Sequence, residues 1–201
     1  MEYDSDAYIA CIQEIKDRLE AIETFISACS ERDFVERQEL ELAALNLRKI
    51  YELAVFASLS AHRKRLADEW KKYSKAWRLS QIVSRLERWN SEFLQICIEL
   101  IKTDDPNADR AIKVRRDLSL TSAEIKKLHG GHNEILHAIN PYSKPIHYQD
   151  KIKSIVLEKR NVERWLSKHQ VCVVPRQAYL LVSMYTTSGQ VECALAERLP
   201  K

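Results

Sequence analysis

Residues 40–65, LELAALNLRKIYELAVFASLSAHRKR, restrict the fold of this chain more than any other segment. Leu42, Leu45, Ile50, Leu53, Ala54, Phe56, Ala57 and Leu59 leave little polar face between Tyr51 and Ala61. A helix that is apolar on nearly all sides is stable only when other elements surround it. The segment therefore predicts a central helix, from about Val35 to Lys72, that demands partners.

Those partners are legible on both sides of it. Ile12, Ile15, Leu19, Ile22 and Ile26 recur at spacings of 3, 4, 3 and 4, which places them in one stripe of a helix from Asp4 to Cys29. Such a stripe serves a core, and the same geometry would serve a dimer seam. A third helix fits Ser74 to Asn90, carrying Trp77, Ile82, Leu86 and Trp89. A fourth begins at Thr121 with the capping box T-x-x-E and stops at Asn140, where Pro141 disfavours helical geometry. A fifth spans Tyr148 to His169, with Ile152, Ile155, Val156, Val162, Trp165 and Leu166 as its stripe. The chain holds only 3 Gly and 5 Pro in 201 residues, a scarcity that favours long helices.

Two stretches break the helical period. Leu94, Ile96, Ile98 and Leu100 alternate, so the run reads either as a strand or as continued helix. Read as a strand, it could form a hairpin with residues 111–117 across the turn-rich Thr103–Arg110. From Val171 onward the chain is rich in Val, Tyr and Thr. This predicts a strand near 171–174 and a hairpin of 178–186 and 190–197, turning at Thr187-Ser188-Gly189. Leu180, Val182, Met184 and Thr186 should share one face, with Tyr179, Leu181, Ser183 and Tyr185 on the other. A lone hairpin is marginal in water and needs support. Three sources are open: the 171–174 strand, the 94–100 run or a second copy. The expected architecture is mainly α: a five-helix bundle-like domain over 1–169, with a small β-hairpin appendage over 170–201 (α+β).

The net charge is +3, mildly basic, which suits a protein partner or RNA without requiring either. Cys11, Cys29, Cys97, Cys172 and Cys193 spell no C-x-x-C, so reduced thiols in a cytoplasmic protein are expected, with no zinc or disulfide. No apolar run approaches the roughly 20 residues of a membrane span. The chain opens acidic and amphipathic, unlike a signal peptide. There is no G-x-G-x-x-G, P-loop or G-x-S-x-G, and no cofactor is expected.

His129, His132 and His137 cluster in LHGGHNEILHAINPY. On one helix His132 and His137 would not share a face, and His129 with His132 alone is too small a ligand set, so no metal is expected. Gly130 and Gly131 each cost about 1 kcal/mol relative to Ala inside a helix. Something should offset that, either close helix packing or a substrate near the backbone. His62, Arg63, Lys64 and Arg65 form a basic end on the second helix. They read as favourable charge at a helix C-terminus or as an RNA contact.

Segments 46–62 (NLRKIYELAVFASLSAH) and 128–142 (LHGGHNEILHAINPY) resemble a group of bacterial helical proteins, and these resemble the HEPN-like superfamily. The resemblance implies a helical bundle, often dimeric, of the kind found in toxin–antitoxin and anti-phage defence modules. Many such proteins are metal-independent ribonucleases with the signature Arg, four to six residues, then His. At the matching place this chain has His132–His137. Asn133 and His137 fit the signature, and His132 stands at the arginine position. The resemblance thus implies His137 as acid or base, with Asn133 and His132 assisting. Because an imidazole clamps phosphate less well than a guanidinium, the first reading is a non-enzymatic interaction protein of such a module, one that presents its basic helix ends and C-terminal hairpin to a protein partner or associates with RNA. The second is a ribonuclease that uses His137. A literal Arg-x4-His also occurs at Arg164 to His169, and it reads as a runner-up site or as the basic end of the fifth helix. Both readings allow a homodimer.

Overall fold

The computed structural model describes residues 4–32, 35–63, 78–104, 110–138, 142, 147–175 and 177–197. Lys64, Arg65 and Trp77, the Asn140-Pro141 stop, and the 105–109 part of the expected turn lie outside the described residues.

Helix α1 (Ser5–Ser30) buries Tyr8, Ile12, Ile15, Leu19 and Ile22, so the expected stripe gains Tyr8 one turn upstream, while Ile26 at its other end is only half-buried. The Asp4 side chain caps it by accepting from the Ala7 amide. Helix α2 (Arg37–Ala61) buries residues on almost every face, including Leu47, Ile50, Tyr51, Ala54, Val55 and Leu59. Its partners explain how it can: α1, four further helices and the sheet all touch it. Leu42 and Leu45 are the exceptions, at 60% and 39% exposed. Helix α3 spans Leu79–Trp89.

The expected fourth helix is divided. Helix α4 (Ser122–Gly131) gives way at His132 to a single turn, α5 (Asn133–Leu136). A Cβ added at Gly130 or Gly131 would meet nothing within 4 Å, so the expected close approach at these glycines is absent. They instead weaken the helix at the point where it ends. The start of α4 is the expected reciprocal box. The Glu124 amide donates to Thr121 Oγ1 at 3.2 Å, and the Thr121 amide donates to Glu124 Oε2 at 2.8 Å. Thr121→Ala should cost about 1 kcal/mol in urea unfolding. An unchanged midpoint would mean that this end of α4 contributes nothing to global stability.

Helix α6 (Tyr148–Leu166) ends three residues earlier than expected, and strand β3 (Lys168–Val174) follows after Ser167. Here the β-branched run Val171, Val173 and Val174 prevails over helical continuation.

The expected small appendage is corrected by the sheet. Strands β1 (Ile96–Lys102), β2 (Arg110–Val114), β3, β4 (Ala178–Ser183) and β5 (Glu192–Glu197) form one five-stranded antiparallel sheet in the order β2-β1-β3-β4-β5. The link is β1 to β3, where Ile96 pairs with Gln170 and Cys97 with His169. A three-stranded meander with one apolar face needs more cover, and the mid-chain hairpin supplies two further strands. Val171, Leu180, Val182 and Met184 join the same core as α1, α2 and α6, so the sheet is a structural layer of the protein. The β4–β5 turn uses Gly189 at φ +76°, the left-handed region that glycine enters at little cost.

Candidate functional site

The residues singled out in the sequence go to different environments. His62, at the C-cap of α2, is turned inward, with ring nitrogens 2.6 Å from Ser58 O and 2.7 Å from Cys172 O. Its ring also meets the edge of Trp89. Arg63 is exposed and paired with Asp4. Arg164 and His169 are separated by the helix end between them. Arg164 is exposed at the end of α6, whereas His169 is fully buried on β3. His169 Nδ1–H donates to Leu166 O at 2.8 Å, and Nε2 accepts from the Tyr8 hydroxyl at 2.7 Å. Burial holds this imidazole down to about 4, so it is neutral, and both of its nitrogens are occupied.

The motif at the α4–α5 joint also divides. His132 is buried, and its Nε2–H donates to Glu158 Oε1 on α6 at 2.9 Å. The Tyr51 hydroxyl donates to the same oxygen at 2.5 Å, and its ring stacks near that of His132. This network fixes the joint between α2 and α6. Asn133 is exposed and faces the opposite way, its Oδ1 accepting from Arg48 Nη1 at 2.9 Å. His137 is exposed beyond α5, its carbonyl accepting from Arg37 at 3.1 Å. The three residues therefore do not converge on one point.

What the fold does assemble lies beside Asn133. A cleft of about 690 Å³ opens between α2, the start of α3 and α4. Its apolar wall is Leu45, Phe56 and Leu79. Its charged and titratable lining is Arg48, Lys49, Glu52, Arg78, Lys126 and His129, four cations against one carboxylate. Helical spacing puts Arg48, Lys49 and Glu52 on one face of α2, and α4 brings Lys126 and His129 opposite.

Glu52 is the hub. Lys49 lies 2.7 Å from one of its oxygens, while His129 Nε2–H donates to the other at 3.0 Å. Arg48 Nε lies 3.6 Å from that second oxygen. Burial pushes the Glu52 carboxyl up, but the hydrogen bonds from Lys49 and His129 outweigh it and hold it below the usual range. Glu52 is therefore an anion that orients three cationic or titratable groups at the cleft mouth. Lys126 leans on Ser84 and Glu87 of α3, which leaves its charge at the rim.

Arg48 and Glu52 are visible in the sequence only as an i,i+4 pair. Nothing in the one-dimensional pattern connects them to Asn133, 81 and more residues away. No family model matches the chain, and neither a curated protein nor a solved structure matches it.

Proposed function

We propose that this chain is an RNA-associated interaction protein that holds the phosphate backbone in the cleft between α2, α3 and α4. The observation that carries this reading is the set of four cations around one anion at a cleft with an apolar wall. Guanidinium and ammonium groups grip phosphate oxygens, and the wall formed by Phe56 and Leu79 suits an unstacked base. The likeness of 46–62 and 128–142 to HEPN-like proteins of defence and toxin–antitoxin modules supports RNA as the ligand class, because both segments border this cleft.

The test is fluorescence anisotropy with a labelled single-stranded RNA over a salt series. Four phosphate-facing cations give a log–log salt slope of about −3, at roughly 0.7 per neutralised phosphate. The double variant Arg48→Ala/Lys126→Ala should weaken binding and flatten the slope by about 1.4. Arg164→Ala, outside the cleft, should leave it unchanged. Equal slopes for the parent and the double variant would reject the cleft as the RNA site.

A second reading, the metal-independent ribonuclease, is favoured by one contact. Arg48 bonds Asn133, so a guanidinium from α2 stands beside the motif that lacks one in sequence. On that reading cleavage persists in EDTA and is lost in His137→Ala. Cleavage that survives this substitution removes His137 from the assignment.

A further inference from the structure

We infer that copies of this chain associate edge to edge, with β2 of one copy adding to β5 of the next. The inference stands apart from the RNA reading and rests on the two ends of the sheet. Among the described residues, no strand lies outside β2 or β5, and an unpaired edge is a template for strand addition.

The two edges differ in charge. Strand β2 carries Arg110 and Lys113, while β5 begins and ends on Glu192 and Glu197. Pairing β5 with itself about its centre would set Glu192 opposite Glu197 at both ends, and like charges directly opposite are destabilising. Pairing β2 with itself would concentrate the cations of two copies. Only the unlike pairing brings opposite charges together.

The β2 edge also has an electrostatic need. Arg110 lies directly across from Lys102 in the β1–β2 ladder, a like-charge pair with no ion pair to either residue among the described residues. An incoming carboxylate beside Arg110 would relieve it. On β5, Glu197 has only Ala178 across from it, so its charge is free to act outward.

Side chains then choose the direction. An antiparallel alignment that sets Arg110 against Glu197 also sets Ile112 against Leu195 and Val114 against Cys193. Ile112, Val114 and Leu195 are 41%, 42% and 38% exposed in the single chain, and this alignment covers all three. A parallel alignment can match the charges, but it puts Lys113 against Leu195. Antiparallel addition therefore satisfies both the charges and the apolar contacts. Because unlike edges meet, the contact is heterologous and does not close as a two-fold dimer.

The test is sedimentation velocity on nuclease-treated full-length protein across a concentration series at low and high salt. The weight-average sedimentation coefficient should rise past that of a dimer at low salt, and high salt should reverse the rise. Arg110→Glu and Glu197→Arg are both exposed substitutions, and each alone should abolish association. An equimolar mixture of the two variants should recover it, because every β2–β5 contact again joins opposite charges. A parent protein that stays monomeric at low salt, association that stops at a dimer, or a mixture no better than its components would each overturn the inference.

Discussion

Trp165→Ala should remove about 3–5 kcal/mol of stability and is the most damaging single truncation expected among the described residues. Trp165 is fully buried near the end of α6 and is the largest such side chain among the described residues. Its Nε1–H donates to Gln95 O at 2.8 Å, one residue before β1 begins. The ring therefore fills the core and also ties the mid-chain hairpin to the helical layer. The two roles separate experimentally. Trp165→Phe keeps much of the apolar ring but removes the donor from Gln95 O, which should cost roughly 1–3 kcal/mol. Urea unfolding of both variants checks the ordering. An alanine variant that loses under 1 kcal/mol would mean that α6 does not pin the sheet through this residue.

That tie also explains which parts of the fold the sequence could reveal. The stripe of α1 and the all-round apolarity of α2 are local periodicities, and both report burial directly. The capping box at Thr121 and the glycine turn at Gly189 are local too, each a backbone demand met by nearby residues. The alternation over 178–184 likewise sorts its two faces, with Leu180, Val182 and Met184 buried. The pairing of Cys97 with His169 is of another kind. Nothing in the run 94–100 names a partner some 70 residues away, and without that partner the run reads equally well as helix. The full sheet was thus hidden behind one long-range ladder of two residue pairs.

The candidate site was hidden for the same reason. Asn133 belongs to a motif, but its partner Arg48 belongs to a helix whose pattern speaks only of burial. His129 is one of three clustered histidines, yet its role depends on Glu52, 77 positions earlier. The Arg-x4-His at 164–169 shows the opposite failure. It matches in sequence, but a helix end falls inside it and sends one member into solvent and the other into the core.

The buried member ties part of the acid sensitivity to one residue. His169 is neutral in the folded protein because its burial disfavours the imidazolium, which lowers it from 6.5 to about 4. The unfolded chain binds a proton near 6.5, and the folded chain resists it until about 4. The neutral ring's contribution is therefore fully present above pH 6.5 and is lost as pH falls through the interval to about 4. At 1.36 kcal/mol per pH unit the loss is about 3 kcal/mol. His169→Asn keeps a donor for Leu166 O but cannot be protonated. It should start less stable at pH 8, since the Tyr8 hydroxyl loses its acceptor. Its stability should then fall less steeply between pH 6.5 and 4 than that of the parent. Urea midpoints for both proteins across that range measure the difference between the two slopes. Parallel curves would show that His169 takes up no proton on unfolding, and that acid sensitivity in this range comes from other groups.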